Sequence, residues 1–240
     1  MNIQKLIDRS KKSFEEDPDK LACLHDGNPL VFVTSTPQLI LEPIWECSKD
    51  DIEGGLYSDY IAANPKYQGL MLGEEVAERL YKASRNLPSH LKLVLRAGHR
   101  PLEVQREELR LNILHFLSDN KNATSEEALK HARIFVDDPA IKLPSHCCGS
   151  AVDLEVFDEN TNALLDFGCP INTSSVEAYL HTNILNAVQR NNRLTLLTAM
   201  LSAGFAPTFV EWWHFSYGDT VWAYFYDKPQ SLYGIVEPEL

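Results

Sequence analysis

Residues 209–226, FVEWWHFSYGDTVWAYFY, set a carboxylate and an imidazole inside an apolar aromatic run. Burying a polar group without partners costs about 2–7 kcal/mol. A fold that buries this run must therefore bring partners to Glu211 and His214. The pattern predicts two aromatic strands around the Gly218-Asp219 turn, a hairpin. In such a strand Glu211 and Trp213 face one way, and Trp212 and His214 the other. A bulge or a strand end would bring Glu211 and His214 to one site. The competing reading makes the tryptophans core and the polar pair incidental.

A second stretch supplies partners. GSAVDLEVF at 149–157 alternates like a strand, with Ala151, Asp153, Glu155 and Phe157 on one face and Val152, Leu154 and Val156 on the other. Gly149-Ser150 can turn the chain so that His146 folds back beside Asp153. Imidazole nitrogen and carboxylate oxygen are both zinc donors. Taken alone, the pair reads equally as a loop histidine and a hydrogen-bonded aspartate. Taken with His214, two His and one Asp leave a fourth tetrahedral position for water, as catalytic rather than structural zinc sites do. Zinc lowers the pKa of bound water towards 7, and Glu211 is then the spare carboxylate for its proton. Arg100 follows a predicted strand at 91–98 and the small turn Ala97-Gly98. It can aim a guanidinium at a developing oxyanion or a carboxylate, or be an ordinary surface arginine. His99 beside it is a candidate neighbour of the site. Asp137-Asp138 before Pro139 reads as a solvated helix exit. His25, His90, His115, His131 and His181 receive no role.

Helices are expected at Ile3–Glu16, Leu72–Ser84, from Pro101 to about Leu117, and from the Thr124/Glu127 capping box to about Val136. Ser174 with Glu177 suggests another capping box, and RLTLLTAMLSAG reads as a helix ended by Gly204. VFV and LIL around a Thr-Pro turn read as short strands. Strands before, between and after helices point to an α+β domain. SKDDIEGGLYSDY is a candidate linker, dividing an N-terminal extension, residues 1–56, from a main domain, residues 57–240.

Composition excludes several classes. A formal net charge of −12 argues against a nucleic-acid partner and weakens a case for an anionic membrane surface. No stretch approaches the roughly 18 apolar residues of a membrane span. No signal-peptide pattern opens the chain, so the expected location is cytoplasmic. Cys23, Cys47, Cys147, Cys148 and Cys169 contain no C-x-x-C pair, which disfavours a thiolate zinc cluster.

AGHRP at 97–101, SHCCGSAVD at 145–153 and EWWH at 211–214 together resemble the bacterial D-alanyl-D-alanine dipeptidases, relatives of zinc D-Ala-D-Ala carboxypeptidases. The family pattern is S-x-H-x-x-G-x-A-x-D, a later E-x-W-H, and an upstream G-Y-R-P-like turn. SAGF at 202–205 is similar too, and the likeness runs over about residues 57 to 226. The resemblance implies one Zn2+ held by His146, Asp153 and His214. It implies Glu211 as general base and then proton donor, and Arg100 stabilising the tetrahedral intermediate. The implied fold is a central, mostly antiparallel sheet flanked by helices, and the implied substrate a small D-amino-acid peptide. Ser145 and Asn172 would contact it. Three departures stand out. Pro144 replaces the pattern's first serine. Cys147 and Cys148 stand where polar or basic residues are usual, placing soft thiols by the metal. Asn172 replaces an aspartate that would face the substrate's ammonium. Asn172 keeps open a D,D- or L,D-carboxypeptidase for longer peptidoglycan peptides; a non-catalytic zinc protein of the same fold is a third expectation, against which Glu211 and Arg100 argue. The N-terminal residues would cover or narrow the cleft.

Overall fold

The computed structural model describes residues 3–15, 22–23, 28–44 and 52–238. Its main sheet is organised around β6 (Ala151–Asp158). Ala151, Val152, Leu154 and Val156 are all fully buried, so both faces of this strand are covered. Antiparallel partners flank it, β5 (Leu91–Ala97) on one side and β9 (His214–Ser216) on the other. β3 (Leu39–Leu41) adds in parallel to β5, β8 (Ala206–Pro207) closes the edge beyond β9, and β7 (Ala163–Leu164) pairs with the far end of β6. The sheet order is β3-β5-β6-β9-β8, and the β3/β5 pair is its parallel one. Two small ribbons complete the pairing, β2 (Leu30–Phe32) antiparallel to β4 (Met71–Gly73), and β1 (Ala22–Cys23) parallel to β10 (Gln230–Ser231). The fold is the expected α+β arrangement with helices against a largely antiparallel sheet.

The described helices are α1 (Ile3–Glu15), α2 (Ile52–Ala63), α3 (Glu74–Arg85), α4 (Leu102–Asp119), α5 (Ser125–Phe135), α6 (Ala187–Ser202) and α7 (Thr220–Phe225). Val76, Leu80 and Ala83 of α3 and Leu196 and Met200 of α6 reach the core under the sheet, where they join Leu93, Leu95 and Leu154. Such burial, at about 25 cal/mol per Å² of apolar surface, is the main force holding the layers together. The capping box of α5 forms as the sequence predicts, with Thr124 and Glu127 exchanging bonds. No helix among the described residues is long and apolar enough to cross a membrane.

Four expectations are corrected. Residues 52–63 of the expected linker form α2, because Tyr57 is buried and Leu56, Tyr60 and Ile61 pack on the core, outweighing the helix cost of Gly54-Gly55. Residues 48–51 lie outside the described set. The boundary expected at residue 56 falls inside this helix, and Leu39 of β3 sits in the main core. The aromatic hairpin does not form. Only His214–Ser216 is strand, and Asp219 caps α7 by accepting from Trp222 N, so Trp222 and Phe225 enter the core from a helix. Ser174 and Glu177 start no helix; Ser175 Oγ instead accepts from Glu177 N in a tight turn. The two short strands expected at VFV and LIL do form: the first overlaps β2 and the second is β3, and they pair with β4 and β5.

Candidate active site

Register places the site. Asp153 of β6 stands opposite His214 of β9 on one side and Ala97 of β5 on the other, where a bulge between Leu95 and Ala97 breaks the ladder. Bulges re-aim side chains at strand ends. Here the chain leaves β5 through Gly98, whose Cβ, were there one, would lie 2.5 Å from the Met71 carbonyl oxygen. Only glycine fits this close approach. The Gly98 carbonyl then accepts from His146 Nδ1 at 2.7 Å. That bond fixes the tautomer and turns Nε2 inward, 3.2 Å from Asp153 Oδ2. His146 opens a single 3-10 turn, His146–Cys148, ended by Gly149 at φ +62°, a left-handed conformation in which a side chain would also strike Leu30.

His214 Nδ1 lies 3.0 Å from Asp153 Oδ1, and its Nε2 lies 3.2 Å from Ser145 Oγ. The imidazoles of His146 and His214 meet edge to face, with ring centroids 4.9 Å apart. One donor atom from each of His146, Asp153 and His214 falls within 4.8 Å of the others, and all three residues are buried. Burial alone would raise the Asp153 pKa, but the two imidazoles hold it well below the usual carboxylate range. Burial alone would lower that of His214, but the Asp153 carboxylate lifts it to about 9. A charge cluster this compact and desolvated is typical of functional sites.

Glu211 ends at Oε2, 3.9 Å from His214 Nδ1. It reaches the site through a turn that precedes β9 rather than through strand alternation. Trp212 and Trp213, which form that turn, are buried, and Trp212 stacks on Phe167 at 4.0 Å. The tryptophans are core, as the plainer reading held, while the polar pair still faces the cluster.

Arg100 is buried and held by three groups that the sequence reading did not single out. Nη1 pairs with Glu108 Oε2 at 2.6 Å and donates to Gln105 Oε1 at 2.9 Å, and Nε donates to Tyr57 Oη at 3.3 Å. Gln105 and Glu108 share the buried face of α4 with Val104 and Leu109. Polar residues on the core face of a helix were the available signal. Arg100 N also donates to His146 O, tying the two loops together.

Arg100, Ser145, His146, Asp153, Asn172, Glu211 and His214 all line one cavity of about 370 Å³. Asn172 takes a left-handed conformation, φ 62°. His99 points elsewhere. Its Nε2 meets the Val236 carbonyl at 2.8 Å, its ring stacks on Tyr67, and burial pushes its pKa down to about 4. Asp137-Asp138 is no solvated exit. Asp138 is buried and pairs with Arg133, while Asp137 lines the cavity and pairs with Lys142 at 2.5 Å. Cys147 and Cys148 are fully buried, and burial pushes the Cys147 thiol up to about 12, so it stays protonated.

A family model described as D-ala-D-ala dipeptidase matches residues 62–232. A D-alanyl-D-alanine dipeptidase of Synechocystis sp. is 33% identical over 113 residues, covering 39% of this chain and 44% of that protein. The chain thus spans under half the length of this curated relative. Among solved structures, a mutant of the vancomycin-resistance D,D-pentapeptidase VanY in complex with Zn(II) aligns at 16% identity and TM-score 0.40, over 66% of this chain and 80% of the other. VanYB in complex with D-alanine-D-alanine aligns at 17% identity and TM-score 0.43, over 68% and 81%.

Proposed function

The chain belongs to the D-Ala-D-Ala dipeptidase family of peptidases, and from that membership and the site geometry we propose that it is a zinc-dependent hydrolase of D-alanyl-D-alanine. The donor set carries the reading. Two imidazole nitrogens and one carboxylate oxygen, crowded within 4.8 Å, suit a zinc ion with one position left open. His146, Asp153 and His214 would hold it, with the Gly98 carbonyl orienting His146 from behind. When bound, the ion supplies a Lewis acid that polarises the scissile carbonyl and lowers the pKa of water.

Glu211 is the general base. Its carboxylate sits beside His214, takes a proton from the attacking water and returns it to the leaving amine. Arg100 stabilises negative charge on the former carbonyl oxygen. Its three buried partners hold the guanidinium in one orientation, so little reorganisation is needed as charge develops. Ser145 and Asn172 contact the peptide from the cavity wall. A cavity of about 370 Å³ lies near the small end of ligand sites and suits a dipeptide.

The test is a dipeptide panel of mixed stereochemistry, assayed with and without a chelator. D-Ala-D-Ala is expected to be cleaved only in the metal-loaded protein, and Glu211→Gln to retain metal while losing most turnover. Wild-type turnover by Glu211→Gln would refute the mechanism. Asn172 favours a second reading, a D,D- or L,D-carboxypeptidase acting on longer peptidoglycan peptides, because a neutral amide at that cavity position pairs weakly with a free ammonium. Faster cleavage of N-acetyl-D-Ala-D-Ala than of the free dipeptide would select that reading.

A further inference from the structure

The cavity has a wall from the far N-terminus. Ser10 and Phe14 of α1 line it together with Pro207, Thr208, Phe209 and Glu211, some 200 positions away in the chain. The helix is fastened at three points. Ser10, which is buried, donates from Oγ to the Pro207 carbonyl at 3.0 Å. Arg9 pairs with Asp227 and lies over the Phe225 ring. Leu6 packs against the core. Phe14 then meets Phe209 at 6.3 Å between ring centroids, and Phe209 in turn meets Tyr179 at 5.3 Å. The segment from Pro207 to Glu211 is itself fixed by Leu180 N to Phe209 O and by Thr208 N to His214 O. The helix and the segment that delivers Glu211 therefore form one wall of the cleft.

Phe14 remains 44% exposed although it lies against another aromatic ring at the cavity. Phe14 thus presents apolar surface at the cavity, where an entering peptide would meet it. We propose that α1 limits the length of the peptide this cleft accepts, with Phe14, seated on Phe209, as the specificity-determining side chain that fills the room an extended substrate would need. This rests on the peptidase reading above. It adds that selectivity for short peptides comes from an N-terminal helix lying outside the residues that carry the catalytic groups.

The experiment compares wild type, Phe14→Ala and Phe14→Trp on D-Ala-D-Ala, N-acetyl-D-Ala-D-Ala and D-Ala-D-Ala-D-Ala. Rates are read as kcat/KM, and affinities for the same peptides are read by calorimetry in the Glu211→Gln background. Opening a pocket by several methylenes is expected to raise the long-to-short ratio of Phe14→Ala about tenfold or more, with D-Ala-D-Ala cleavage retained. Phe14→Trp should lower the ratio. Arg9→Glu, which reverses the charge facing Asp227 and loosens the helix, should act in the same direction as Phe14→Ala. If D-Ala-D-Ala is cleaved and the ratio stays fixed in all three variants, the length-limiting role is overturned and the peptidase reading stands. If no peptide is cleaved or bound by wild type, both fall together.

Discussion

Replacing Glu108 by glutamine removes the charge that faces Arg100 while keeping the shape of the side chain. The pair is held at 2.6 Å, with side-chain exposures of only 7% for Arg100 and 9% for Glu108, so water cannot take over the carboxylate's part. Breaking a buried ion pair by neutralising one partner costs about 3–5 kcal/mol, because the other charge is left desolvated. Glutamine still offers one acceptor, and Gln105 and Tyr57 still hold the guanidinium, which places the loss near the lower end. For a chain of this length about 3 kcal/mol corresponds to a drop in Tm of about 6–12 °C. The assay is thermal unfolding followed by circular dichroism on the metal-stripped protein, so that metal affinity does not enter. Arg100→Met combined with Glu108→Leu is expected to be more stable than Glu108→Leu alone, since the guanidinium then no longer has to stay buried after losing the Glu108 carboxylate. A Tm shift below about 2 °C for Glu108→Gln, or a double variant less stable than Glu108→Leu alone, would refute the reasoning.

Other outcomes follow from the same geometry. Stripping divalent metal should lower Tm, because a ligand that binds only the folded site, present at 100 times its Kd, contributes about 2.7 kcal/mol; an unchanged Tm on adding zinc back would count against His146, Asp153 and His214 as the donor set. Gly98→Ala forces a Cβ against the Met71 carbonyl and shifts the carbonyl that orients His146. Metal affinity should fall about 10–100-fold, as for other changes behind a ligand, measured by chelator competition. Glu75 accepts bonds from Tyr233, Arg79 and Tyr217. Burial raises its pKa, but those donors outweigh it and leave the pKa below the usual 4.5. A lowered carboxylate stabilises the fold above its unfolded pKa and loses that contribution as pH falls through its folded one. Glu75→Gln should therefore be less stable than wild type near neutrality and should lose less on acidification, as read by urea midpoints across the acid range.

What was legible in the sequence was what short stretches of chain determine by themselves. The capping box of Thr124 and Glu127 closes within four residues, Gly204 ends α6 at φ +92°, and the burial of β5 and β6 follows from their apolar residues. His146, Asp153 and His214, whose donor atoms meet in the structure, also stood out in the sequence by residue type and spacing, as did Glu211, which lines the same cavity. Tertiary structure decided the rest. The run at 220–225 suits strand or helix by its aromatic content alone; the Asp219 cap and the burial of Trp222 and Phe225 made it α7. The glycine-bearing stretch before residue 60 became helix because Tyr57 found a buried place near Arg100. Glu108, Gln105 and Tyr57 converge on one guanidinium from two helices, and Asp137 meets Lys142 at the cleft. Nor does any local pattern announce that Phe14 lies against Phe209. These contacts join residues distant in the chain, and their energy depends on burial and register, which exist only once the sheet has formed.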